Sequence, residues 1–173
     1  MLPRRGSAAA LLVVLTACGG TASHANPARK LNQAQVELQV VLKAKERSPR
    51  LIVGKATCPP GVTARVGETF VCSVEIEGQQ ARYTVTISEI LGDQAQFDVK
   101  PAQAIVDLSN VTDFIRSRLD DHWKTAKIDC GQSKVRLADT GATIDCTIFD
   151  GATTRYIQAV VEDRDGAVSL RER

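Results

Sequence analysis

The sequence predicts an α+β protein built from two tandem copies of a small domain. Each copy has one helix packed on an antiparallel sheet of about four short strands, with one disulfide per copy. Three observations predict this fold: short segments of alternating apolar and polar residues, two segments with helical spacing, and two cysteine pairs at similar separations. Apolar residues make up 43% of the 173 residues and aromatic residues only 4%, so aliphatic side chains must build the core.

The N-terminal segment has the organisation of a secretory signal. Arg4 and Arg5 supply positive charge, and the apolar run 8–15 is too short to span a bilayer. The sequence therefore predicts a signal peptide over residues 1–17.

The signal ends in a segment that resembles the lipobox of bacterial lipoproteins. Residues 15–18 read LTAC, and in such proteins the cysteine is lipidated and becomes the first mature residue. Two or more acyl chains anchor a protein stably, because each buried methylene contributes about 0.8 kcal/mol. An ordinary signal cut after Ala17 is the alternative. We interpret residues 18–30 as lipidated Cys18 and a flexible, small and polar tether.

The remaining four cysteines are expected to form disulfides, since export places them in an oxidising compartment. They are Cys58, Cys72, Cys130 and Cys146. Four cysteines allow three connectivities, and the short separations favour local pairs, each worth about 3 kcal/mol in the chain-entropy model. A metal site is the rival interpretation, but the sequence has no Cys-x-x-Cys pair and few histidines. We therefore predict no metal and no cofactor.

The cysteine pairs mark an internal duplication. After Cys72 the chain reads SVEIEGQQARYTVTI, and after Cys146 it reads TIFDGATTRYIQAVV. Both segments contain an alternating run, an acidic residue followed by glycine, and an Arg-Tyr pair. We place the first copy at residues 31–100 and the second at 110–173, with 101–109 as the connection between them.

The alternating runs predict strands with one buried face, joined by hairpins at Glu77-Gly78 and Asp150-Gly151. The predicted buried positions are Phe70, Cys72, Val74 and Ile76 in the first copy, and Ile144, Cys146 and Ile148 in the second. A further strand alternates through Tyr83, Val85 and Ile87, and later turns are expected at Gly92-Asp93 and Asp165-Gly166.

Two segments with helical spacing are expected to cover these sheets. The first runs from Leu31 to about Arg47, and its main apolar stripe is Leu31, Ala34, Leu38, Val41 and Leu42, with Val36 and Val40 nearly opposite. The second is expected to have Asn110 as N-cap and Asp113 in its first turn. Its apolar positions are Val111, Ile115, Leu119 and Trp123.

The first copy resembles a known family, the domain of unknown function numbered 4333, found in lipoproteins and membrane proteins of mycobacteria and other actinobacteria. The matching residues are Cys58-Pro59, Val66-Gly67, Val71-Cys72 and Gly78. The resemblance covers about residues 31–100 and implies export and a small α+β domain, with no established activity. The second half departs from the pattern, because Gly131 follows Cys130 where the family has proline.

The sequence offers little catalytic chemistry, and we predict that the protein is not an enzyme. His24 lies in the tether, and His122 is expected on the surface of the second helix beside Asp121. A Ser-His-Asp catalytic triad needs a positioned serine and a buried acid, and the residues around His24 and His122 supply neither. Asp120 and Asp121 are interpreted as a solvated helix face.

The candidate binding surface is the pair of Arg-Tyr steps, at Arg82-Tyr83 and Arg155-Tyr156. Arginine and tyrosine are planar groups that suit contact with a polar partner. The alternative is a sheet position where the tyrosine packs inward and the arginine faces solvent.

Charge and composition limit the partners. The chain has 22 Lys plus Arg and 20 Asp plus Glu, so loss of the two leader arginines leaves 20 of each. A nucleic-acid-binding protein needs a dense patch of basic residues, and the sequence shows none. We expect a membrane-anchored, non-catalytic binding or scaffolding module on the extracytoplasmic face of the cell membrane, with an envelope protein or cell-wall partner. The alternatives are a carrier of an apolar lipid or cell-wall precursor, an inhibitor of a secreted enzyme, and an unfamiliar hydrolase.

Overall fold

A computed structural model describes residues 29–92 and 94–172. The predicted signal, Cys18, most of the tether, His24 and Asp93 lie outside the described residues. In chain order the elements are α1 (Gln33–Arg47), β1 (Val53–Thr57), β2 (Thr69–Ile76), β3 (Gln79–Leu91), β4 (Gln94–Pro101), β5 (Ala104–Asp107), α2 (Leu108–Arg118), a short 3-10 helix (Asp121–Trp123), β6 (Lys127–Asp129), β7 (Val135–Ala138), β8 (Thr143–Phe149), β9 (Thr154–Val161) and β10 (Val168–Glu172).

The first sheet is antiparallel, with strand order β1-β2-β3-β4. The predicted hairpin between β2 and β3 is confirmed, because Glu77 (φ 48°) and Gly78 (φ 77°) form a two-residue turn that needs positive φ at both positions. The predicted inner face of β2 is also confirmed, since Cys72, Val74 and Ile76 are fully buried.

Helix α1 packs on the first sheet through a different face from the one predicted. Its buried residues are Val36, Val40 and Ala44, while Leu38 and Leu42 are 58% and 44% exposed. Polar contacts from the same helical stripe explain this rotation. Gln33 Nε2 donates to the carbonyl of Cys58 at 3.0 Å, and Glu37 Oε1 accepts from the Cys58 N–H at 3.0 Å.

These bonds also change the acidity of Glu37. Stabilisation of its carboxylate by the Cys58 backbone N–H, and then by Gln33, lowers the pKa of Glu37 below its ordinary value. The helix start is fixed by Asn32, whose side chain accepts from the backbone N–H of Gln35.

The second sheet is antiparallel, with order β10-β9-β8-β6. Its inner face carries Ile144, Cys146 and Ile148 as predicted. The hairpin at Asp150-Gly151 has a turn of residues 150–153, two residues longer than its counterpart in the first sheet. Asp150 Oδ1 accepts from the backbone N–H groups of Thr153 and Ala152, which lowers the pKa of Asp150.

The predicted start of α2 at Asn110 is wrong. The N-cap is the buried Asp107, whose carboxylate accepts from the Ser109 N–H at 2.9 Å, so Asp113 lies beyond the first turn. The helix begins earlier because β5 runs directly into it. It ends at Arg118, and Trp123 is buried in the separate 3-10 helix rather than on α2.

The segment 101–109, predicted as a connection, contains the buried strand β5, which pairs antiparallel with β7. Its neighbouring side chains enter different cores, because successive residues of a strand point to opposite faces. Ile105 belongs to the core of the first sheet, whereas Ala104 and Val106 belong to the core of the second. From β7, Val135 also enters the first core. The ribbon of β5 and β7 is therefore shared by both cores.

The four cysteines of the described residues form two disulfides, joined as predicted. Cys58 bonds to Cys72 with an S–S distance of 2.03 Å, and Cys130 bonds to Cys146 at 2.00 Å. Each bond connects the residue after an edge strand, β1 or β6, to the adjacent strand, β2 or β8.

Candidate binding groove

A groove of about 570 Å³ lies between α2 and strands β9 and β10. Its apolar residues include Ile115, Ile157, Val168 and Leu170. Helix α2 packs mainly beside β5 and β6, and this position leaves the opposite part of the sheet accessible. The volume falls within the range of about 300–1,000 Å³ that is usual for ligand sites.

Two arginines of the groove are stacked on aromatic rings. The guanidinium carbon of Arg155 is 4.2 Å from the ring centroid of Trp123, and that of Arg118 is 5.2 Å from the ring centroid of Phe114. Within residues 29–92 and 94–172, neither guanidinium forms an ion pair with a carboxylate. Stacking orients the planar group and leaves its N–H edge able to bind an anion.

The groove also carries negative charge, because Asp120 and Glu172 line it. Asp121 instead forms an ion pair with Lys124, so the two neighbouring aspartates do not act together. His122 lies in the 3-10 helix and not on the second helix as predicted. It is exposed, and its ring makes an edge contact with Trp123 at 5.9 Å between centroids.

The two Arg-Tyr pairs of the candidate binding surface are not in equivalent positions. Tyr83 is fully buried in the first core, while Tyr156 is 59% exposed. The register explains the difference: Tyr83 pairs with Cys72, but Ile157 pairs with Cys146. Both hairpins pair the cysteine with the residue at the same distance along the chain, but one residue fewer lies between Cys146 and Arg155 than between Cys72 and Arg82. The Arg-Tyr pair is therefore displaced by one position, and a one-residue shift moves a side chain to the opposite face.

The four residues of that predicted surface therefore have separate environments. Arg82 is exposed and donates to Gln103 Oε1 at 3.2 Å, and only Arg155 contributes prominently to the groove. Among the described residues, the hydroxyl of Tyr83 has no hydrogen-bond partner. Burial raises the pKa of Tyr83 to about 12, against a smaller opposing effect of Arg47.

The sequence reasoning missed Phe114 and Arg118 and the strand residues Val168 and Leu170. Two signals pointed to them: an aromatic residue four positions before an arginine on a helix, and an alternating run near residue 170. Neither signal shows that the helix leaves this part of the sheet uncovered, which depends on tertiary packing.

The corresponding space in the first half is smaller. The cavity between the start of α1 and strands β3 and β4, beside Gln35, Ile90 and Phe97, has a volume of about 90 Å³. Across the described residues, no group of three or more His, Cys, Asp or Glu is arranged to hold a metal ion. The helices in this part of the chain are also too short or too polar to cross a membrane.

These features define a mixed helix-and-sheet protein with two disulfides and an open groove beside one sheet. The family described as Domain of unknown function (DUF4333) matches residues 13–92, which confirms the resemblance of the first half and includes α1 and β1–β3. No curated protein and no solved structure gave a match.

Proposed function

We propose that the protein is an exported lipoprotein, anchored through Cys18 to the extracytoplasmic face of the cell membrane, and that it acts as a non-catalytic binding module of the cell envelope. Its contact surface is the groove beside α2, and its partner is an envelope protein or a cell-wall component. The observation that carries this proposal is the groove itself, with about 570 Å³ of space and two arginines that lack carboxylate partners in the described chain.

The sequence and the disulfides support the location. The LTAC segment at residues 15–18 has lipobox character, and the family match begins at residue 13 and so includes it. Both disulfides suit an oxidising compartment, since cytosolic thiols are normally kept reduced.

We also propose that the two halves are diverged tandem copies, of the kind found in actinobacterial lipoproteins. Each sheet follows the same chain order of four antiparallel strands, and each disulfide joins corresponding places in that order. Strand β7 is an insertion between β6 and β8 on this view, and the longer 150–153 turn is a second difference.

Photo-cross-linking of the membrane-anchored protein tests the binding surface. A benzophenone side chain placed at Glu172, which lines the groove and pairs with Ile157, should form a discrete cross-linked species with one envelope component. The matched control places the same group at Lys100, an exposed residue of β4 in the first sheet. Equal cross-linking at both positions, or none at Glu172, would contradict the proposed surface.

The anchor has its own test. A Cys18→Ala variant should lose the acyl mass and leave the membrane fraction, while the disulfides still form. An unmodified N-terminal cysteine in the wild-type exported protein would overturn the lipoprotein assignment.

A second candidate is a carrier of an apolar lipid or cell-wall precursor. The apolar floor formed by Ile115, Ile157 and Leu170 favours it. Native mass spectrometry of gently purified protein should then show a retained lipid mass that disappears after Ile157→Glu.

A further inference from the structure

The outer side of α1 carries an apolar stripe that neither sheet covers. The members of this outer stripe recur at helical spacing on one face, and they are Ala34, Leu38, Val41 and Leu42. Leu38 and Leu42 are the most exposed of them, and none of the four belongs to either core of the described chain. The inner side of the same helix packs on the first sheet. Helix α1 is therefore apolar on two sides, and a helix of this kind normally has both sides covered.

The second half of the molecule meets α1 away from the outer stripe. Arg47 forms an ion pair with Asp165, which lies in the turn between β9 and β10. Arg47 follows the buried Ala44 by three positions, so it belongs to the inner face of the helix. The outer stripe is therefore open to a surface outside the described chain.

The anchor proposed at Cys18 lies close to this helix along the sequence. The described chain begins at Arg29, eleven residues after Cys18, and α1 begins at Gln33. A chain of eleven residues spans at most about 40 Å when fully extended, and about 20 Å on average as a flexible coil. An acyl group at Cys18 would therefore keep the start of α1 within reach of the bilayer, at a high effective concentration.

The charges around α1 favour an anionic lipid surface. Residues 29–47 contain five basic residues and two acidic ones. Both acidic residues are engaged within the protein, because Glu37 accepts from the Cys58 N–H on the inner side and Glu46 pairs with Lys43 at 2.8 Å.

Lys45 extends the outer stripe by one turn. It is exposed and follows Leu42 by three positions, so the two side chains share a face. A lysine at the border of an apolar stripe lays its aliphatic chain along the apolar surface and keeps its ammonium group at the level of the lipid phosphates. The arrangement is therefore suited to a helix that lies in the plane of a bilayer surface.

The size of the outer stripe favours a bilayer over a second protein surface. Its four apolar residues extend over about 12 Å of helix. A stable protein interface has about 20–30 residues on each side, which is far more than this stripe offers. A lipid surface needs no matching shape, and it accepts a few apolar side chains at the boundary between headgroups and acyl chains.

From these features we infer that the outer stripe of α1 rests on the membrane that holds the acyl anchor, with Leu38 and Leu42 inserted between lipid headgroups and Lys45 beside the phosphates. The inference rests on the proposed anchor at Cys18 and adds a second, reversible membrane contact. This contact orients the molecule. Val71 alternates with the buried Cys72 on β2, so it lies on the face of the first sheet opposite α1 and is directed away from the bilayer.

Photo-cross-linking in vesicles tests this contact. The full acylated protein, with a benzophenone side chain at Leu38, is reconstituted into vesicles of equal parts phosphatidylcholine and phosphatidylglycerol. The matched control carries the same group at Val71, which is also apolar and exposed. We expect a phospholipid adduct in the intact mass at position 38, in a yield about tenfold higher than at position 71. Equal yields, or a cross-linked dimer in place of the lipid adduct, would overturn the inference.

Substitutions in the outer stripe provide a second test, with the benzophenone side chain at Val41. Leu38→Glu together with Leu42→Glu should lower the yield of lipid adduct about tenfold, because carboxylates enter the headgroup boundary poorly and repel anionic lipid. Val71→Glu should leave the yield unchanged. Both leucines are exposed, so the urea midpoint of the double variant should stay close to that of the wild type. An undiminished yield in the folded double variant would refute the contact.

Lipid composition and acylation separate this inference from the proposed function. Vesicles of phosphatidylcholine alone should give a several-fold lower yield at position 38, because they lack the charge that attracts the basic residues. An equal yield in these neutral vesicles would overturn the preference for anionic lipid. An exported protein without an acyl group would overturn the anchor and this contact together. Acylated protein with equal yields at positions 38 and 71 would reject this contact alone and leave the anchor and the groove standing.

Discussion

The two halves use the same order of four antiparallel strands but position their helices differently. Helix α1 has 15 residues, packs beside β1, β2 and β4, and binds both backbone groups of Cys58. Helix α2 has 11 residues, and its main contacts are with β5 and β6, leaving a groove beside β9 and β10. The comparison shows that helix placement, more than sheet topology, decides which half has room for a partner.

Of the changes that compare the two halves, loss of a disulfide should lower the free energy of unfolding most. We expect Cys58→Ala with Cys72→Ala to lower the free energy of unfolding by about 4 kcal/mol, and Cys130→Ala with Cys146→Ala by about 3 kcal/mol. The loops are similar, with separations of 14 and 16 residues, but both sulfurs of the first pair are buried in the closed core. Urea titration of the exported variants measures the difference; a larger loss for the second pair would contradict this order.

Truncation of matched isoleucines compares the closed core with the groove. Ile76 is fully buried, whereas Ile157 is partly exposed beside the groove. We expect Ile76→Ala to cost about 3 kcal/mol and Ile157→Ala only about 1 kcal/mol, because the second site already contacts solvent. Equal losses of stability in denaturant titrations would mean that the groove is closed in solution.

Tyr83 provides a stabilising substitution in the first half. Its hydroxyl is buried and has no partner in the part of the chain that the structure describes, so Tyr83→Phe should raise the free energy of unfolding by about 1 kcal/mol. The control is Tyr156→Phe, which should be neutral because Tyr156 is largely exposed. Destabilisation by Tyr83→Phe would show that the hydroxyl is satisfied in solution.

The raised pKa of Tyr83 predicts that the protein loses stability at alkaline pH. Its pKa in the folded protein is about 12, above the ordinary value of 10.0. Between pH 10 and 12 the tyrosine of the unfolded chain loses its proton while that of the folded chain keeps it. The contribution of Tyr83 to the free energy of unfolding is therefore complete below pH 10 and decreases as the pH rises toward 12. Melting temperatures from pH 9 to 12 should fall less steeply for Tyr83→Phe than for the wild type.

Ion pairs between the halves should matter least. Arg47 pairs with Asp165, and Arg50 pairs with Asp113 at 3.0 Å, but all four side chains are substantially exposed. Arg50→Gln should change the free energy of unfolding by about 0.5 kcal/mol or less. Lys43→Gln, which removes a pair internal to α1, is the matched control. A loss of several kcal/mol for Arg50→Gln alone would mean that surface charges hold the halves together.

The strand faces and the cysteine pairing were predictable because they depend on local patterns. Alternation through Cys72 and Ile76 identified a buried face, and short separations identified both disulfides. The rotation of α1 was not predictable, because Gln33 and Glu37 occupy its inner stripe and bind a residue more than 20 positions away. Polar residues at these positions interrupt the apolar periodicity from which the buried face of a helix is predicted.

The groove was only partly predictable for a similar reason. The sequence predicts Arg155 as a binding residue only if Arg155-Tyr156 is equivalent to Arg82-Tyr83, and the strand register shows that it is not. One residue fewer between the cysteine and the Arg-Tyr pair of the second half changes that equivalence, and a sequence alignment that absorbs this difference in a single gap does not show which face results. Strand β5 was also missed, since a short apolar run does not reveal whether both of its faces are covered.

The shared strand β5 has a consequence for how the molecule presents its groove. A bend between the sheets would have to draw Ile105 out of one core or Val106 out of the other. The backbone of Gly166 also packs closely against that of Ile105, since a Cβ at this position would lie 2.6 Å from the carbonyl oxygen of Ile105. The first sheet and the groove would therefore turn together as one body on a flexible tether that enters at Arg29.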